Sequence, residues 1–175
     1  RHIPMATDAK VLDVTRTQLI QAPPARVMQA FFTDTDLKDW WGVTRAFAVA
    51  RPLGMYAIEW ESTDFEDDVL GRLGGAIHGT VIDFRPNASF FLAEVYWQPP
   101  DGDPIGPMAL EVQCRPHGNG RQTMLTVKQS GEGEGARFER YFSIMNRGWE
   151  VALSEMKNYI DREIERTKIS REARG

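Results

Sequence analysis

Histidine and cysteine are scarce: the 175 residues include three histidines and one cysteine, Cys114. A lone cysteine cannot close an internal disulfide, and a reducing, cytoplasmic setting is the simpler expectation. His2, His78 and His117 form no His-x-x-x-His or Cys/His spacing, so no metal and no cofactor are expected. Positive charge is not in excess either. With a formal net charge of −4, the chain lacks the broad positive field that nucleic-acid binding requires, and no nucleic-acid partner is expected. No apolar run approaches the roughly 20 residues of a membrane helix, and the N-terminus lacks the apolar core of a signal peptide, so no membrane partner is expected. What remains is a globular balance, 42% hydrophobic and 26% charged, which argues against global disorder.

This length closes one hydrophobic core without disulfides. Residues 6–168 are expected to form that single domain, with 1–5 a tag or disordered start and 169–175 a frayed tail.

Residues 11–20, VLDVTRTQLI, are β-branched and mostly two-periodic, as in a strand. Pro24 suits the first turn of a short helix that Val27, Met28, Ala30, Phe31 and Phe32 continue. Thr33 or Asp34 caps a second, carrying Leu37, Trp40 and Trp41 before Gly42 breaks it. Strand-like runs then alternate with turns: RAFAVA, MYAIEW, AIHGTVIDF, SFFLAEVYW, PMALEVQC and RQTMLTVKQ. The last two are joined through His117-Gly118-Asn119-Gly120, where Asn-Gly marks a hairpin. After the glycines of residues 131–135, which read as flexible, the period becomes helical. Phe142, Met145, Trp149, Ala152, Leu153, Met156, Ile160 and Ile164 fall three or four apart. A strand, two short helices, six strands and a long C-terminal helix describe one α+β domain.

These residues resemble the activator-of-heat-shock-protein-ATPase-like branch of the START and polyketide-cyclase superfamily. The resemblance lies in Ala22-Pro23-Pro24-Ala25-Arg26-Val27, in Trp40-Trp41, in residues 79–86 (GTVIDFRP) and in Gly148-Trp149 with Leu153 and Met156. It implies a helix-grip fold, a curved antiparallel sheet of about seven strands wrapped on the long helix. It also implies a cavity between helix and sheet that holds an apolar ligand, and no shared catalytic set. Where the family often has a second proline after the middle strand, this chain has Asn87, which leaves that turn's geometry open.

Alternation along the strands nominates the cavity walls. Tyr56, Ile58 and Trp60 share one face of MYAIEW, and Phe91, Ala93, Val95 and Trp97 one face of SFFLAEVYW. Met108, Leu110, Val112 and Cys114 share a dry face, and His78, Thr80, Ile82 and Phe84 another. Trp41 at the mouth and Met145, Trp149 and Leu153 on the helix complete the set. Plain core packing is the competing reading for the strand and long-helix residues, a strand-end histidine hydrogen-bonded locally is that for His78, and docking of the short helices on the sheet is that for Trp41. The acidic run Asp64, Glu66, Asp67, Asp68 lacks calcium-loop spacing and reads as a solvated loop. Gly71-Arg72-Leu73-Gly74-Gly75 reads as a flexible connection, and Gly148 as a close approach or a bend.

Three functions are compatible with this pattern. The leading expectation is noncatalytic binding of a small apolar or amphipathic molecule. A cyclase or aromatase would need His78 with Glu59, Glu94 or Tyr96 inside the cavity. A co-chaperone or other protein-binding module would need an exposed apolar patch, and a homodimer is a further expected assembly.

Overall fold

The computed structural model describes residues 9–175; the expected tag or disordered start at residues 1–5 lies outside them. The chain runs β1 (Lys10–Ile20), α1 (Pro24–Ala30), α2 (Asp34–Trp41), β2 (Val43–Ala48), β3 (Met55–Trp60), β4 (Glu66–Asp67), β5 (Gly71–Arg72), β6 (Gly75–Arg85), β7 (Ser89–Gln98), β8 (Ile105–His117), β9 (Gln122–Gly133) and α3 (Ala136–Ala173). Seven strands form an antiparallel sheet in the order β1-β9-β8-β7-β6-β3-β2, and β4 with β5 makes a separate two-stranded ribbon. This is the helix-grip arrangement.

The long helix buries the stripe its periodicity foretells: Trp149, Leu153, Met156 and Ile160 are all at most 1% exposed. Its two ends differ from expectation. Residues 169–173, read as a frayed tail, are helical and solvent-exposed. The glycines before it are partly strand, since Gly131 pairs with Leu12 and Met108, and Gly133 with Lys10. A β-carbon on Gly133 would lie 2.5 Å from the Phe138 ring, so glycine lets the helix start close against β9.

Pro24 opens α1 at its first position, and Gly42 ends α2 in the left-handed conformation at φ 65°. Both short helices are tied to α3 by one polar cluster. Arg26 donates to both carboxylate oxygens of Asp36 (2.9 and 2.8 Å) and of Glu163 (both 3.0 Å), and Tyr159 donates to Asp36 at 2.6 Å. The turn after β6 explains Asn87: its φ is 61°, which proline, held near −65°, cannot adopt.

Cys114 lies on the inner face of β8, 2% exposed, and burial pushes its thiol up to about 12. The native protein is therefore expected to resist a thiol reagent at pH 8 and to release one equivalent only on unfolding, as an Ellman titration with and without denaturant would read.

Candidate functional site

A cleft of about 460 Å³ opens where the ends of α2 and β3 meet α3. Gly42 turns the chain out of α2 and leaves Trp41 at the helix end. The Trp41 ring stacks on Trp40 (centroids 4.8 Å apart), meets Trp60 edge-on (5.3 Å, 76°) and tilts against Trp149 (5.1 Å, 42°). A second aromatic pair, Trp97 from β7 and Tyr141 from α3, lies with centroids 5.3 Å apart. Ile77 of β6 and Ile144, Met145 and Gly148 of α3 fill out the walls.

The polar edges of three of these rings are turned into the protein. Trp60 donates its N–H to the Trp41 carbonyl (2.9 Å), Trp97 to the Gly74 carbonyl (2.8 Å) and Trp149 to Gln129 Oε1 (2.8 Å). Gln129, 1% exposed, donates in turn to the Tyr141 hydroxyl at 3.0 Å, so one buried amide links the two aromatic groups. Desolvation pushes the Tyr141 phenol up, which keeps it neutral. The surface left facing the cleft is almost entirely apolar.

Residues 61–74 form a strap at the cleft, contributing Glu61, Thr63, Leu70, Leu73 and Gly74 to its lining. Of the acidic run expected to be a solvated loop, Asp64, Glu66 and Asp68 are exposed, Glu66 within β4, but Asp67 is buried. One of its carboxylate oxygens accepts from Arg140 Nε and Nη2 (2.9 and 2.7 Å), and the other from the Val69 and Leu70 amides (3.1 and 3.0 Å). This latch holds Leu70 in the core. The glycines counted as flexible are needed sterically: a β-carbon on Gly74, whose φ is 105°, would lie 2.5 Å from the Glu61 carbonyl oxygen.

The Arg140 guanidinium, with the two amides, holds the Asp67 carboxyl at about 2, below its usual 3.8. Because the folded value is the lower one, the latch contributes fully above about pH 4 and is lost as pH falls through about 2. The Val69 and Leu70 amide resonances are expected to titrate together in that acid window, and Asp67→Asn should abolish the transition.

Of the predicted wall residues, Trp41, Trp60, Trp97, Met145 and Trp149 do line the cleft. Tyr56, Ile58, Val95, Met108, Leu110, Val112 and Leu153 are buried in the packed core and do not reach it. Phe84, half-buried, packs edge-on against Phe32 at 5.6 Å and lies against the core rather than in the cleft. Three assignments are corrected. Ile82 is 48% exposed, because it is the extra residue of a bulge in which β6 advances from Val81 to Asp83 while β7 moves only from Leu92 to Phe91. His78 lies outward beside Tyr96, since the inward set of β6 is Ile77, Gly79 and Val81. Phe91 is outward because Phe90 and Leu92 are the buried pair, and a second bulge at Glu94 (φ 54°) then brings Val95 and Trp97 inward. Glu59, Glu94 and Tyr96 share the outer side with His78, so the cyclase arrangement does not face the cleft.

Tyr141, Ile144 and the strap line the cleft without having been among the expected wall residues. Tyr141 and Ile144 precede Met145 and Gly148 by a helical turn, so the period that found Met145 also carried them. The strap has no periodicity to read. Gln129 was legible as well, since alternation from Leu125 through Val127 places it on the buried face.

Solved structures of low sequence identity share this fold. A protein of unknown function from Staphylococcus aureus is 16% identical, with a TM-score of 0.67 over 90% of this chain and 98% of that one. A Mesorhizobium loti protein is 20% identical, with a TM-score of 0.62 over 87% and 98%. The Aha1 dimer from Colwellia psychrerythraea is 22% identical, with a TM-score of 0.59 over 85% and 96%. No curated protein matches the chain. The model of the Activator of Hsp90 ATPase homolog 1-like family matches residues 21–161, from the entry into α1 to about two thirds of the way along α3, and the chain belongs to that family.

Proposed function

We propose that the chain binds a small apolar or amphipathic molecule in the cleft beside α3, without transforming it. The observation that carries this is the aromatic lining whose indole N–H groups at Trp60, Trp97 and Trp149 are already satisfied, leaving apolar faces around about 460 Å³. A volume of that size falls within the range of small-molecule sites. The titratable side chains of the lining are Glu61, exposed, and Tyr141, raised by burial and bonded to Gln129. Neither is paired with an acid–base partner in the lining, which favours binding over proton transfer. Cytoplasmic action, suited to a buried reduced thiol, is part of this reading. Native mass spectrometry of the purified protein should find a retained molecule, and neutral N-phenylnaphthylamine should brighten on binding and be displaced by it. Absence of both would remove the proposal.

A second reading has its own observation. Phe47, Leu53, Met55 and Ile82 are 48–76% exposed, and the strands bring them together on the outer side of the sheet around the β2–β3 turn. Such a patch suits a protein partner. The family's name points to a chaperone ATPase, and the Colwellia relative's dimer to a second copy. ATPase stimulation assays and light scattering of Phe47→Ser and Met55→Ser variants distinguish the two partners.

A further inference from the structure

Among the described residues, the lining of the cleft has one charged side chain, the Glu61 carboxylate, and no cationic one. Glu61 makes no ion pair among the described residues. We infer that the occupant of the cleft is a cation, an amphiphile whose substituted ammonium group rests against the tryptophan faces with Glu61 beside it. This deepens the binding reading above and rests on it.

Three observations converge on that chemistry. The first is the presentation of the rings. An indole offers an anion its N–H edge and a cation its electron-rich face. The edges of the buried Trp97 and Trp149 and of the half-buried Trp60 are committed to protein acceptors, so what Trp60 presents to the cleft is its face. Trp60 meets Trp41 at 76° and Trp149 meets it at 42°, so rings of different orientation converge at one corner of the cleft, as a cage for an ammonium group needs.

The second is that the two arginines next to lining residues Leu73 and Tyr141 are already held by carboxylates. Arg72 on the strap is held bidentately by Asp101 (2.8 and 3.0 Å), and Arg140 on α3 is held by Asp67. The third is the field. Residues 61–74 contain five acids and one base, so this segment carries the chain's whole formal charge of −4 and the remainder sums to zero. A strap of that charge at the mouth concentrates cations and repels anions.

The test uses two soluble probes of one shape, meta-hydroxyphenyltrimethylammonium and its neutral isostere meta-tert-butylphenol, with meta-hydroxybenzenesulfonate as the anion, each followed by tryptophan fluorescence at low salt. A merely apolar cleft prefers the neutral isostere, because an ammonium group must leave its hydration behind. The expected result is cation binding tighter by about tenfold or more and no anion binding. Glu61→Gln, at an exposed position, is expected to narrow the preference several-fold by weakening the cation's binding more than the neutral probe's. Equal or tighter binding of the neutral or anionic probe overturns the cation inference and leaves the binding reading standing. Failure of all three probes to bind overturns both. A preference that Glu61→Gln does not alter overturns the part assigned to Glu61.

Discussion

Trp149→Ala is expected to cost about 4 kcal/mol of folding free energy, read as a fall in the urea midpoint at unchanged slope. The ring is 1% exposed, sits at the centre of the α3 stripe and leans on Trp41. Its removal opens a cavity that packed neighbours cannot close. It also removes the donor to Gln129 Oε1, whose own amide continues to Tyr141. Trp149→Phe separates the two contributions: most of the packing stays, and the acceptor left without its donor costs about 1–3 kcal/mol. Since a domain's whole stability is about 5–15 kcal/mol, the alanine variant is expected to unfold near physiological temperature while the phenylalanine variant stays folded. A loss below about 1 kcal/mol for Trp149→Ala would mean that the helix is not held where its buried stripe places it.

The long helix and the hairpin at Asn119 were legible because each rests on a local rule, a 3.6-residue period in one case and a left-handed dipeptide in the other. Sheet faces were legible only where the strand was regular. In β8, Met108, Leu110, Val112 and Cys114 alternate undisturbed and are all buried. In β6 and β7 the bulges at Ile82 and Glu94 each insert a residue, and one inserted residue moves everything beyond it to the other face. Nothing in the string around Glu94 announces a left-handed residue, since glutamate is a poor choice for positive φ. The strap was invisible for another reason. Its place over the cleft depends on Asp67 meeting Arg140, 73 positions away in sequence, and such a pairing leaves no periodic trace.

The reach of the candidate site is tested most sharply at Gly148, which was read as a close approach or a bend. No close backbone approach is observed. A β-carbon there would touch only Met145, at 3.7 Å, and α3 continues as one helix past it. Glycine inside a helix costs about 1 kcal/mol relative to alanine, and no neighbouring backbone requires it here. What the missing side chain leaves is room, because Gly148 lines the cleft. Gly148→Ala is therefore expected to raise stability by about 1 kcal/mol with little effect on ligand uptake. In Gly148→Phe the ring, directed back over the preceding turn, would occupy the space beside Ile144 and Met145. Uptake of N-phenylnaphthylamine is expected to fall at least tenfold while the urea midpoint stays at or above the wild-type value. Ile82→Trp makes the control, since a side chain at that exposed bulge adds bulk outside the cleft and should leave uptake unchanged. Full binding by a folded Gly148→Phe protein would place the ligand elsewhere and release α3 from any part in holding it.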